Sequence, residues 1–223
     1  MSDGGGPAAT PSPAATGRLA GQWRQYPADD RLAPVLDAAL SLFIRYGYHG
    51  TTVRMIASEA GMTVPGLYYH YRTKQDMLVD LLRRSNEDIM QRSWAALAEA
   101  GQDPRRRFVA LIENIVLYMT HRKRLGLVAH ELRSLEEPFR SQHVRLRDQL
   151  EAIVLAEVER ACEADEFASD SPHDSTRAVL VLCQGVADWF TDAGPSSPEQ
   201  IAEQYVRFSL RLVGAAPEAG RAS

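Results

Sequence analysis

The sequence predicts an all-α protein, and three observations carry the prediction. Apolar residues recur three and four apart through most of the 223-residue chain, the spacing of one helix face. No stretch alternates apolar and polar residues with a period of two, and no segment repeats another. The periodic stretches are divided by Gly47 to Gly50, Gly61, Gly101-Gln102-Asp103-Pro104 and Gly194-Pro195, residue types that end or open helices.

Residues 1–28 read as an arm. Its first 17 residues, MSDGGGPAATPSPAATG, have little to bury and are expected to be disordered. Trp23 and Tyr26 either tether the arm to the first helix or accompany an arm whose Arg18 and Arg24 reach a minor groove or phosphate. The first helix is expected over 31–46, burying Leu32, Val35, Leu36, Ala39, Leu40, Leu42 and Phe43, with Gly47 and Gly50 closing it.

Residues 51–74, TTVRMIASEAGMTVPGLYYHYRTK, organise the rest. Thr51 or Thr52 can cap a short helix that buries Val53, Ile56, Ala57 and Ala60. Gly61 supplies a left-handed residue at its end. Thr63 can cap a second short helix with Pro65 near its start, where a missing N–H costs nothing. Leu67 and Tyr71 lie four apart and face inward. Thr63, Val64, Pro65, Gly66, Tyr69 and His70 are left outward, with Tyr68 at the margin. A turn-separated pair with a short second helix is the geometry that presents side chains to a DNA major groove.

Thr73 can cap a long helix over 74–100, carrying Met77, Leu78, Leu81, Leu82, Ile89, Trp94 and Leu97 on one face. A helix that starts at the DNA and ends elsewhere can act as a lever. Further helices are expected over 104–121, 124–135, 138–164 and 175–192, with a polar loop over 165–174. A last helix opens at Ser196 or Ser197 with Pro198 and runs through Ile201, Tyr205, Phe208, Leu212 and Val213. The expected division is 29–76 for the three-helix helix-turn-helix unit, 77–214 for a ligand-binding and dimerisation unit, and 215–223 for a tail.

Net charge is −4, which excludes a protein that coats nucleic acid throughout. Between Arg18 and Arg84 nine basic residues stand against six acidic ones, +3, leaving −7 for the remainder. A basic head on an acidic body suits a DNA reader with a separate sensing part. Cys162 and Cys183 make no disulfide framework and read as buried free thiols. No run of about 18 apolar residues occurs and no leader pattern opens the chain, so a cytoplasmic protein without a membrane partner is expected. His130-Glu131 and His173-Asp174 lack metal-ligand spacing. There is no G-x-S-x-G elbow, P-loop or dinucleotide fingerprint. No metal, cofactor or enzymatic activity is expected.

Residues 31–80 resemble the TetR family of transcriptional regulators. The resemblance rests on LDAALSLFIRYGYHG (residues 36–50), Thr51-Thr52-Val53, Ile56-Ala57, Ala60-Gly61, Gly66-Leu67-Tyr68-Tyr69-His70-Tyr71, Lys74 and Met77-Leu78. Thr63-Val64-Pro65 departs from the small polar residues or Lys more usual there, which bears on the bases read. The resemblance implies DNA contact at Thr52, Thr63, Tyr68, Tyr69, His70 and Lys74. Lys74 would clamp a phosphate, and Tyr69 would meet a phosphate or thymine methyl. Val64 and Gly66 share the outward face, and Arg54 can grip the backbone or a guanine edge.

The resemblance also implies a homodimer on a palindromic double-stranded operator. Its four-helix interface would use Val179, Leu182, Gly185, Val186 and Trp189 with Tyr205, Phe208 and Leu212. The blander reading of these residues is an internal core. The middle helices would enclose a small hydrophobic effector, with Trp94, Phe108, Leu111, Ile112, Ile115, Tyr118, Met119, Val128, Leu132, Leu146, Leu150 and Ile153 as candidate walls, although such stripes also make ordinary core. The HELRSL segment (residues 130–135) resembles regulators of lipid or aromatic-acid catabolism that sense acyl-coenzyme A thioesters. Arginines at 105–107, 122, 124, 133, 140, 145 and 147 would suit a phosphate-bearing head, though solvated faces account for most of them. The implied function is a repressor released by its effector. The alternatives are an activator of the same build, and an enzyme or carrier with a vestigial helix pair.

Overall fold

The structure, a computed structural model, describes residues 19, 21–27 and 32–216, and every regular element among them is helical. Arg18, Arg31 and most of the C-terminal tail lie outside the described residues. Among those described, no helix is long and apolar enough to cross a membrane.

Helix α1 is Pro34–Gly50. It starts three residues later than expected because Pro34 holds Ala33 extended while itself suiting a helix's first turn. Gly47, at φ 73° and ψ 163°, interrupts it, and the chain resumes for one turn. The Thr51 hydroxyl plugs this break, donating toward the carbonyls of Gly47 at 2.8 Å and Leu42 at 3.1 Å. Thr51 is therefore buried and it is Thr52 that caps α2, Val53–Glu59.

Gly61, at φ 65°, turns the chain into α3, Val64–His70, capped by Thr63. Helix α4, Lys74–Ala100, opens on a reciprocal capping box between Thr73 and Asp76. Leu36, Leu40, Phe43, Ile56, Leu67, Met77, Leu78 and Leu81 make one apolar core from these four helices.

The body is arranged around α5, Pro104–His121, which packs against α4, α7, α8 and α10. The helix expected over 124–135 is instead α6, Lys123–Val128, followed by a 3-10 helix, Ala129–Ser134. Helix α7 is Phe139–Glu163. The segment 165–171 is less polar in effect than in composition, since Phe167 is buried edge-on against Phe108. Helix α8, Pro172–Gln184, begins at its proline rather than at Ser175 and stops before Gly185, so the long apolar helix expected there is two. Helix α9 is Val186–Trp189, and α10 is Pro198–Leu212, capped by a Ser197–Gln200 box.

The arm departs from expectation most. Trp23 is 1 % exposed and belongs to the core of the body, not to the first helix. Its indole N–H donates to Glu99 at 2.8 Å. Arg24 lies over that indole and pairs with Glu99 and Glu113, and these carboxylates raise its pKa. Buried Arg92 donates to the backbone oxygens of Trp23 and Gln25 and lies over the Tyr26 ring. Arg24 is thus held by α4 and α5, far in contact terms from any groove-reading role.

Candidate nucleic-acid interface and effector cavity

Local chemistry builds the reading head. The Thr52 side chain accepts from the Met55 amide at 3.2 Å, and Thr63 accepts from the Gly66 amide at the same distance. A Cβ on Gly66 would stand 3.1 Å from the Thr63 hydroxyl, so glycine there keeps the cap open. Leu67 is buried and anchors α3. Opposite it, Tyr69 is 88 % exposed and meets His70 edge-on. An aromatic so uncovered at the end of a capped helix has no packing reason to be there. Thr52, Arg54, Thr63 and His70 are exposed, Val64 and Gly66 partly so, and Tyr68 is about half exposed. Tyr71 turns in, its hydroxyl donating to Asp80 at 2.7 Å, and burial with that carboxylate pushes its pKa up to about 12.

Lys74 differs from the open phosphate clamp expected. Its ammonium donates to the carbonyls of Tyr48 at 2.6 Å and Thr51 at 2.7 Å and lies over the Tyr48 ring. Desolvation lowers its pKa, with Glu131 opposing. The charge holds the end of α1 against the start of α4, bonding carbonyls where the helix runs out of donors; the Tyr48 oxygen accepts from the Thr51 amide at 3.3 Å as well.

A cavity of about 570 Å³ lies between α4, α5, α6, α7 and the 3-10 helix. Tyr118, Met119, Leu132, Leu146 and Leu150 line it as expected. Trp94, Phe108, Leu111, Ile112, Ile115, Val128 and Ile153 do not. All of these but the half-buried Trp94 are buried in close-packed core, where neighbouring helices leave no space. The wall also contains polar Ser85, Asn86 and His143, with Arg133 and Arg147 exposed at its edge. The Tyr118 hydroxyl donates to the Ser85 carbonyl at 3.1 Å, and burial raises its pKa, keeping it neutral. Sequence reasoning missed Ser85, Asn86 and His143 because a polar residue on an amphipathic helix looks like solvent-facing surface, whereas Arg133 and Arg147 were among the arginines expected beside the pocket.

Head and cavity share a wall. Leu82 and Leu132 both line the cavity and pack in the head core. Val128 and Leu135, which flank the 3-10 helix, are buried in that same core. Gln75 accepts from the Glu136 amide at 2.9 Å, and Arg124 of α6 pairs with Asp37 of α1 at 2.7 Å.

The expected interface residues divide. Val179 and Val186 are fully buried within the subunit, because Gly185 ends α8 and turns that stripe inward. Leu182, Gly185 and Tyr205 are half-buried. Trp189, Phe208 and Leu212 are exposed, joined by Val181, which the sequence reading missed. Tyr205 stacks on Trp189 and meets Phe208, so these side chains form one apolar face. Cys183 is buried beneath it, its thiol pKa pushed up to about 12 by burial, while Cys162 is half-buried.

Residues 101–213 match a family model described as the tetracyclin repressor-like C-terminal domain, and residues 35–81 match that of the bacterial regulatory proteins of the tetR family. The HTH-type transcriptional repressor KstR2 of Rhodococcus jostii (strain RHA1) is 26 % identical over 194 residues, 82 % of this chain and 94 % of that protein. The HTH-type transcriptional activator FasR of Mycolicibacterium smegmatis (strain ATCC 700084 / mc(2)155) is 26 % identical over 196 residues, 82 % of this chain and 83 % of its own. The solved structure of AibR in complex with isovaleryl coenzyme A and operator DNA shares the fold at a TM-score of 0.71. It is 21 % identical, covering 82 % of this chain and 97 % of that one.

Proposed function

Because this chain belongs to the TetR family of DNA-binding transcription regulators, we propose that it is a homodimeric repressor that leaves a palindromic operator when a hydrophobic acyl-coenzyme A thioester fills its cavity. Members of the family are regulators rather than enzymes. The observation that carries the proposal is the shared wall: Leu82 and Leu132 each touch both the cavity and the head core. A ligand that reshapes the cavity must move residues on which the head rests.

In this reading residues 29–76 form the reading unit, and residues 77–214 the sensing and pairing unit, which also takes up the arm through Trp23. Tyr69, His70, Thr63, Val64 and Gly66 meet the major groove. Thr52 and Arg54 meet the backbone, with Tyr68 at the flank. Lys74 positions α4 and has at most one N–H left for a phosphate. The apolar face of Trp189, Tyr205 and Phe208, with Val181 of α8 and Leu212 of α10 also exposed, is the pairing surface, since an apolar patch of that kind marks an association site. Two-fold pairing would set the recognition helices about 34–36 Å apart, one turn of duplex. The ligand weakens DNA binding only by its preference for a different separation of the heads.

The ligand class is favoured by the apolar wall, by Arg133 and Arg147 at its edge, and by the coenzyme A ester held by the structural relative AibR. The test is a mobility-shift titration on duplex from the gene's own upstream region. Wild type is expected to shift it, Tyr69→Ala to bind at least about tenfold more weakly with dimerisation intact, and decanoyl-CoA to release it. A monomer that ignores that duplex at low salt overturns the proposal. The match to the activator FasR favours a second reading in which the thioester strengthens binding, and the same titration separates the two.

A further inference from the structure

The polar groups in the cavity wall are unequally satisfied. Tyr118 and Ser85 answer each other, with the Ser85 hydroxyl also 3.2 Å from the Leu125 carbonyl. His143 is different. It sits one turn into α7, is 7 % exposed and forms part of the same wall. Its Nδ1 lies 3.1 Å from the carbonyl oxygen of Phe139, one helical turn back. A carbonyl only accepts, so Nδ1 carries the hydrogen, and in the neutral ring Nε2 is left as an acceptor. That Nε2 is buried and has no partner.

Leucine or phenylalanine would complete this wall without desolvating an acceptor, and Leu146 and Leu150 on the same helix do so. A buried acceptor without a donor is a standing cost; Nε2 is covered as it stands, and a turn of the His143 ring toward the cavity would let a donor on the ligand recover that cost. The exposed arginines Arg133 and Arg147 stand at the cavity edge, whereas His143 is among its buried residues together with Leu82, Tyr118 and Leu150. The group that meets His143 therefore belongs to the buried, acyl end of the ligand and not to its charged head.

We propose that His143 makes the cavity selective for a hydroxylated acyl group, whose O–H donates to Nε2 as the ligand packs against Leu146 and Leu150. This rests on the reading of the cavity as the effector site. A site built to hydrogen-bond a hydroxyl discriminates against the analogue that lacks it, because the site's own polar group then stays unpaired.

The test compares decanoyl-CoA with 3-hydroxydecanoyl-CoA and 10-hydroxydecanoyl-CoA by calorimetric titration of the full chain. Wild type is expected to bind one of the hydroxylated esters roughly fivefold or more tighter than decanoyl-CoA, the worth of one net hydrogen bond. His143→Phe should bring all three within about twofold. His143→Gln, which keeps an acceptor, should retain part of the preference. Melting temperatures of both variants separate lost selectivity from lost fold. Equal binding of all three esters by wild type overturns the inference and leaves the thioester reading standing, as does an unchanged preference in a folded His143→Phe. Failure of every ester to bind takes down both.

Discussion

In the head, Thr52, Thr63 and Thr73 each cap a helix from a hydroxyl three residues from the amide served. In the body, Arg107, Arg92 and Arg24 hold partners 50, 69 and 89 residues away. The caps that shape the head's helix starts thus each close within one turn. The body's cavity and arm exist only once distant segments have met. A reading surface gains from parts that stay fixed while something else moves, and a sensor gains from parts that depend on one another.

Breaking a long-range tie should therefore cost more than breaking a local one. Arg107 meets Glu157 through two bonds of 2.7 and 2.9 Å, and the Glu157 side chain is almost wholly buried. Arg107→Ala strands that carboxylate with only Arg160, 3.4 Å away and half exposed. A loss of about 3 kcal/mol in chemical denaturation is expected. A loss below about 1 kcal/mol, within the range of exposed pairs, would put the body on the same footing as the head.

Thr73→Ala removes a reciprocal box on α4. It should cost about 1 kcal/mol and leave ligand binding unchanged by calorimetry. If ester affinity fell with it, local and distant ties would not be separable.

The smallest effect expected is a pH dependence. His121 stacks on Tyr26 of the arm at 4.4 Å between ring centroids. Burial lowers its pKa, Arg122 and Arg92 push the same way, and Glu199 and Asp192 oppose. Unfolded histidine titrates near about 6.5, so just below that pH the unfolded chain binds more protons than the folded one. Stability from this group is full above about 7, falls as pH drops through about 6.5, and levels once folded His121 also protonates. Thermal midpoints from pH 8 to pH 5 (approximate bounds for that window) should fall less steeply in His121→Phe. Parallel slopes would show that this stack senses nothing.

The same contrast explains what could be read in advance. Caps, the inward Leu67 and the outward Tyr69 follow from residues within a few positions, so the head was legible nearly to the side chain. Lys74 was not, because its acceptors, the Tyr48 and Thr51 carbonyls, come from a helix end over 20 residues earlier. In the body the helices were legible, but which faces met was not. Phe108, Leu111 and Ile115 carry the same spacing as Tyr118 and Met119, yet only the latter two border space. Apolar periodicity marks what leaves water; it carries no mark for where packing stays incomplete. Val179 and Trp189 likewise shared a stripe until Gly185 divided it.

Trp23 carries a consequence for how the molecule is made. It is translated before the groups that cover it, and the Glu113 carboxylate that pairs with its neighbour Arg24 follows that arginine by 89 residues, a wait on the order of ten seconds at usual rates of synthesis. During that interval the nascent head can close over Leu36, Ile56 and Leu67, and a bare indole waits beside it without a seat. Birth order and neighbourhood therefore disagree, and this indole finds its seat only after two later helices have been made.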